Sequence, residues 1–290
     1  MLKLDSARNR RLGIAMVCVT TLCFSALDTT AKWLVLSLPV FQVVWLRFLT
    51  HSLLGLALLA PRYGMRLVRV QQPKLQALRA LMLAGLTGLN FWALRYLQLD
   101  VTAAIQFSVP IMIALISARW LGERLDARSW IAIVLGFGGV LLIVRPGSHA
   151  FHPAIVLSIL NAVLYAAFNL LTRRLAATEL PAATQLLSAM GATVLLTPLG
   201  LLEWKTPEDW LSWMLVLSMG LVGGLGHLMV AQAHRYASAA VLAPFLYQQI
   251  VYMGLLGWLV FGHVPDLAVV SGAAIVTFSG LYLLYREFGR

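Results

Sequence analysis

Residues 93–108 read ALRYLQLDVTAAIQFS, and residues 233–248 read AHRYASAAVLAPFLYQ. Ala93, Arg95 and Tyr96 fall on Ala233, Arg235 and Tyr236, and Val101 and Ala103 on Val241 and Ala243. The register continues without a gap through Leu115/Leu255, Gly122/Gly262 and Asp126/Asp266. A match held that far marks a duplication, one half of the chain followed by a copy of itself. The chain that carries it has 290 residues, 60% hydrophobic and 11% charged, with a mean hydropathy of +0.84. Its apolar runs are long enough to cross a hydrocarbon core of about 30 Å, where backbone polar groups must be bonded within the segment. Helices meet that demand and open sheets do not, so the expected fold is an all-α, polytopic membrane protein.

Ten spans are expected, at 12–36, 39–60, 76–97, 101–121, 127–145, 153–174, 182–202, 210–233, 240–262 and 266–285. The connections are short and punctuated by Pro39, Pro61, Gly64, Pro146-Gly147, Pro181, Pro207 and Pro265. They leave no room for a soluble domain. Trp33, Trp120, Trp130, Trp204, Trp210 and Trp213 sit near span ends, where amphipathic rings favour the headgroup region. The two halves divide at 1–146 and 147–290.

A formal charge of +11 raises the question of a polyanionic partner, and its distribution answers it. With a cytoplasmic N-terminus, one side carries Lys3, Arg8, Arg10, Arg11, Arg62, Arg66, Arg69, Lys74, Arg79, Arg119, Arg124, Arg128, Arg173, Arg174, Arg235, Arg286 and Arg290. The other side holds Lys32, Arg95, Arg145 and Lys205. This asymmetry predicts both termini in the cytoplasm, and it leaves nucleic-acid binding without support. The apolar stretch from Leu12 onward is too long for a signal-peptide core and reads as the first span. Cys18 and Cys23 lie within it on different helical faces, unable to pair with each other.

Five spans separate each position from its copy, and an odd number inverts the second half relative to the first. Upstream, Phe24, Ser25, Ala26, Asp28 and Lys32 meet Tyr165, Ala166, Ala167, Asn169 and Arg173. Inverted repeats of this kind place a substrate site near the bilayer midplane, with access alternating between the two sides.

The chain resembles the drug/metabolite transporter superfamily in its ten-helix EamA form. The resemblance rests on Trp45-Leu46-Arg47-Phe48, Ala93-Leu94-Arg95-Tyr96, Pro110 followed by Leu121-Gly122-Glu123, and the glycines Gly136, Gly138 and Gly139. Ala233-His234-Arg235-Tyr236 and Gly262 supply the second-half counterparts, whereas Ile250 and His263 stand where the first half has Pro110 and Glu123. The resemblance covers almost the whole chain. It implies a secondary transporter of the bacterial inner membrane, with amino acids or related metabolites as small-molecule substrates and the lipid bilayer as its surroundings. Within the superfamily the chain is most similar to the bacterial aromatic amino acid exporters. The resemblance also implies that spans one to four and six to nine surround a cavity while five and ten pack outside, an arrangement that Gly136, Gly138, Gly139, Gly272 and Gly280 would favour.

Independently of family, charges inside spans point to working or structural positions. Asp28 and Arg47 each lie about 12 Å in from the same membrane face, at 1.5 Å per residue. A buried Asp28–Arg47 ion pair is the preferred expectation, with Asp28–Lys32 on one helix as its rival. Their approximate repeat mates are the amides Asn169 and Gln185, and a structural or coupling role is expected for all four residues.

Substrate contacts are expected from Asn90, Gln106, Phe107, Tyr165, His227, Tyr247 and Gln248, with Trp92 and Phe168 as further candidates. Phe107 and Tyr247 are repeat mates, so their rings either clamp an apolar side chain or simply pack. His227, the mate of Thr87, is either a satisfied interior histidine or a group facing the cavity.

None of Lys3, Lys32, Lys74 and Lys205 follows a glycine-rich phosphate loop, which removes ATP-driven pumping. No cofactor is expected. Asp28, His51 and His227 are the groups within spans that could carry a proton. The alternatives are export of another metabolite or a drug-like cation, and a passive channel. An intramembrane enzyme is disfavoured, because a conceivable Ser108–His227 dyad is all the sequence offers it. A monomer and a homodimer fit equally well.

Overall fold

The computed structural model describes residues 7–109, 111–112, 127–145, 151–176, 178–236, 242 and 245–288. Pro110 and Leu121-Gly122-Glu123, on which part of the resemblance rests, lie outside the described residues. Ten α-helices of eight residues or more follow in order among the described residues. They are α1 (Ala7–Val35), α2 (Val40–Tyr63), α3 (Pro73–Tyr96), α4 (Leu99–Gln106), α5 (Ala127–Val144), α6 (Ile155–Ala176), α7 (Pro181–Leu202), α8 (Trp210–Tyr236), α9 (Gln249–Phe261) and α10 (Leu267–Phe288). By length and composition, α1, α2, α3, α6, α7 and α8 can each cross a membrane, and α5, α9 and α10 contribute shorter apolar segments.

The ends of these helices follow local chemistry. Pro73 and Pro181 open α3 and α7 at positions where a missing N–H costs nothing. Gly262 closes α9 at φ 69°, with its amide donating to the Trp258 carbonyl and that of His263 to the Gly257 carbonyl. The start of α3 is held from a distance, since the Glu179 carboxylate accepts from the backbone amides of Gln71 and Gln72 at 2.9 and 2.8 Å. The other end of α3 is held by Lys32, whose Nζ donates to the carbonyls of Leu94 and Leu97 at 2.9 and 2.7 Å. A cation at a helix C-terminus meets the negative end of the dipole and the orphaned carbonyls together.

Packing follows the duplication. α1 packs on α8 as α6 packs on α3, α2 on α8 as α7 on α3, and α1 on α9 as α6 on α4. The self-paired contacts are α2 with α7, α4 with α9, and α5 with α10. One core, around Phe48, Phe91, Leu94, Ala189 and Met219, fills the space among α1, α2, α3, α7 and α8. A second, around Ile105, Ile133, Val140, Ala273 and Val276, joins α5 and α10 to α4 and the start of α6. A Cβ on Gly139 would stand 2.9 Å from the Gly272 carbonyl oxygen, and one on Gly272 would stand 2.6 Å from that of Gly139, so these glycines allow α5 and α10 to touch through their backbones. Gly138 faces open space and takes no part in that contact.

Both α4 and α9 belong to interrupted spans. The helix breaks into a turn at Phe107-Ser108 and resumes at Val109, and it breaks again at Tyr247-Gln248 before α9. The Met112 amide donates to the Ser108 carbonyl in the first break, as the Tyr252 amide donates to that of Gln248 in the second. The interruption is thus duplicated with its hydrogen bonds.

Candidate functional site

Polar side chains in the central core divide into two groups. The first surrounds a cavity of about 90 Å³ between α2, α7 and α8, lined by His51, Gly55, Gln185, Gly220, Gly224 and His227 among leucines. The imidazoles of His51 and His227 lie 6.2 Å apart and nearly parallel, and Phe24 meets His227 edge-on at 5.0 Å. His51 Nδ1 is buried without a hydrogen-bond partner. Glycine makes this close approach possible: a Cβ on Gly224 would stand 3.5 Å from the His51 ring, and one on Gly220 would stand 2.5 Å from Thr50 Cβ and 2.7 Å from the His51 amide.

The second group lies at the duplicated breaks. The rings of Phe107 and Tyr247 meet at 5.0 Å, inclined by 45°. Tyr247 is buried and its hydroxyl has no partner. Gln106 accepts from Asn161 at 3.1 Å, and Gln248 donates to Thr21 Oγ1 at 3.0 Å. Tyr165 stacks on Phe168 at 6.1 Å, and its carbonyl accepts from Asn169 at 2.7 Å. Trp92, in contrast, is 42% exposed and packs against Phe41, away from both groups.

The charges depart from the sequence expectation. Asp28 and Arg47 are not within the 4 Å of an ion pair. Asp28 instead accepts from Asn90 at 2.9 Å, and Lys32 binds the α3 carbonyls rather than Asp28. Two features unmarked in the sequence reading emerge. Arg79, placed there among cytoplasmic residues, is 1% exposed. It donates to Thr172 Oγ1, the Thr184 carbonyl and Ser188 Oγ at 3.0, 3.3 and 2.6 Å, with its guanidinium 4.4 Å from the Phe168 ring centre. Asp100, at the start of α4, is buried, as Glu179 is.

A larger open groove of about 470 Å³ lies away from this centre, between α5 and α10, beside Arg145 and Asp266. Arg145 forms an ion pair with Asp266 there. Asp266 also accepts from the Val269 amide at 2.9 Å, and that bond, followed by the Arg145 partnership, holds its carboxyl below the ordinary range. The groove is open, and its Arg145 and Asp266 are already bonded to each other, so the central groups remain the better candidates for a substrate path.

Known proteins give this arrangement a family. The chain is similar to an S-adenosylmethionine uptake transporter of Rickettsia bellii, at 25% identity over 98% of this chain and 97% of that one. It is similar to a pseudopaline exporter of Pseudomonas aeruginosa, at 28% identity over 96% and 97% of the two chains. It is also similar to a riboflavin transporter of Vibrio cholerae, at 28% identity over 76% and 74%. A crystal structure of a protein 20% identical in sequence has the same fold, with a TM-score of 0.64 over 99% of this chain and 100% of that one. The profile of the EamA-like transporter family matches twice, over residues 11–145 and 152–286. With both halves matched, the chain belongs to the EamA-like transporter family of the drug/metabolite transporter superfamily, and it is a membrane transporter rather than an enzyme.

Proposed function

We propose that this transporter is a secondary-active exporter of amino acids, aromatic or otherwise neutral, and of related small metabolites, working by alternating access in the bacterial inner membrane with both termini cytoplasmic. The observation that carries the reading is the aromatic pair Phe107 and Tyr247, 5.0 Å apart at the duplicated helix breaks. Breaks in the middle of spans free backbone groups to bind polar ends of a solute, and the adjoining rings suit an apolar side chain. Asn90, Gln106, Tyr165, His227 and Gln248 supply polar and aromatic contacts around that path, while Asp28, Arg47, Asn169 and Gln185 serve in structure or coupling. The uneven spread of basic residues supports the orientation.

Counterflow in proteoliposomes against a panel of amino acids, with and without a proton gradient, tests the reading. Saturable exchange of an aromatic or neutral amino acid is the expected result. Exchange of a different metabolite class with no amino acid exchanged would overturn the substrate assignment, and linear, unsaturating flux would overturn the carrier mechanism.

A further inference from the structure

Three Lys or Arg side chains are buried among the described residues: Lys32, Arg47 and Arg79. Two are matched by the protein. Lys32 binds two backbone carbonyls, and Arg79 binds two hydroxyls and a carbonyl above the Phe168 ring. Arg47 is different. It is 4% exposed, and its Nε and Nη1 have no hydrogen-bond partner. One face of its guanidinium lies 4.3 Å from the Phe48 ring centre. The acid expected to neutralise it, Asp28, uses Oδ1 to accept from Asn90.

The neighbours of Arg47 along α2 and α8 border the central cavity. On α8, Gly223 approaches the guanidinium with bare backbone: a Cβ there would stand 3.7 Å from Nη2 and 3.9 Å from Nε. One helical turn along α2, His51 lines the central cavity, with Nδ1 buried and unpartnered and with Cδ2 and Nε2 toward Gly224, while Gly220 borders the same space. A buried guanidinium whose N–H groups lack acceptors is costly, and its planar fork matches a carboxylate through two parallel hydrogen bonds. We infer that Arg47 receives the carboxylate of the transported molecule, at a subsite formed by Arg47, His51 and the bare backbone at Gly223. The inference deepens the proposed function and rests on its placing of His227, which lines the same cavity as His51, beside the substrate path. It also selects against a substrate whose only charge is positive.

Three probes separate the contributions of the two ends of an amino acid: L-phenylalanine, L-phenylalaninamide, which lacks the carboxylate, and 3-phenylpropionate, which lacks the amine. Thermal stabilisation of the purified full-length protein in nanodiscs reports binding without requiring transport. In the wild type, L-phenylalanine and 3-phenylpropionate should stabilise and the amide should not. Arg47→Gln should weaken both carboxylates about tenfold or more, as expected for a charge-assisted hydrogen-bonded pair, and Arg47→Lys should lie between. Gly223→Ala adds a methyl at ordinary contact distances, so it should fold and still weaken both carboxylates if Arg47→Gln does not fold.

An amide that binds as well as the acid, a wild type that no carboxylate stabilises, or folded variants that keep full carboxylate preference would each overturn the inference. Carboxylate binding without amino-acid counterflow would instead defeat the proposed function and leave the subsite standing. Amino-acid counterflow indifferent to Arg47 would do the reverse.

Discussion

Asn90 on α3 donates its amide to Asp28 Oδ1 on α1 at 2.9 Å, joining the two helices at the level of the central core. The acid is thereby committed to structure before any solute arrives. Asp28→Asn removes the charge nearest in kind to a counter-ion for Arg47, and it should lower expression and thermal stability while leaving the pH dependence of transport largely unchanged. Normal expression with an abolished pH response would contradict this assignment. Asn90→Leu removes the donor to this half-buried carboxylate and should cost about 1 kcal/mol in thermal or denaturant unfolding.

Ser188→Ala removes the shortest of the hydrogen bonds to Arg79, that of 2.6 Å, and leaves Nη1 with the longer Thr184 carbonyl contact. A loss of about 1–2 kcal/mol is expected, measured as an earlier unfolding transition. Arg79→Lys should not restore stability, because a point ammonium cannot reach α6 and α7 together or stack on Phe168.

Glu179→Gln should fray the start of α3. The carboxylate accepts from two backbone amides and lies at the positive end of the helix dipole, so the neutral amide should lose about 0.5–1 kcal/mol. Hydrogen exchange at Gln71 and Gln72 would report the change directly, and unchanged protection would refute it.

Gly220→Ala should be far more damaging than Gly223→Ala. The new methyl at 220 would press to 2.7 Å on the His51 backbone amide, which cannot move without displacing α2 from α8. Little folded protein should be recovered from Gly220→Ala, whereas Gly223→Ala should be recovered at near wild-type levels.

The Asp266 carboxyl is held below its ordinary value of 3.8, first by the Val269 amide and then by Arg145. A depressed carboxyl stabilises the fold above the unfolded value and loses that contribution as pH falls through the folded one. Acid titration of thermal stability should therefore show a decline below about pH 4 that Asp266→Asn lacks, with the wild type the more stable of the two at pH 7 and the difference shrinking as the carboxyl protonates.

Much of the fold was legible because its signal was repeated. The register linking Phe107 to Tyr247 places an aromatic ring at the same position in both halves, and the structure adds that both positions fall at helix breaks. Charge patterning served less well. Arg79 lies six residues inside α3, which in sequence suggests a side chain reaching for an interface, but its partners are on α6 and α7. Lys32 was assigned to the outer face for the same reason, although it caps a helix more than sixty residues away. The Asp28–Arg47 expectation placed both residues at a common level, yet a shared depth does not fix azimuth around the helix axis. The competing partner, Asn90, came from a third helix. Asn90, Gln106, Tyr165, His227, Tyr247 and Gln248 were legible as polar or aromatic positions at repeat-related sites, but their actual partners, such as Asn161 and Thr21, were not.

Two identical inverted halves would make the inward-open and outward-open states exchanges of the same contacts, equal in free energy and equally populated. The breaks at Phe107-Ser108 and Tyr247-Gln248 come close to that degeneracy in backbone and depart from it in side chains. Swapping the environments of the two segments exchanges a phenyl ring with a phenol whose buried hydroxyl lacks a partner. Each 1.4 kcal/mol of such inequality corresponds to about a tenfold preference for one opening, so under the proposed alternating access the resting side would be set where the copies have diverged rather than by the plan they share.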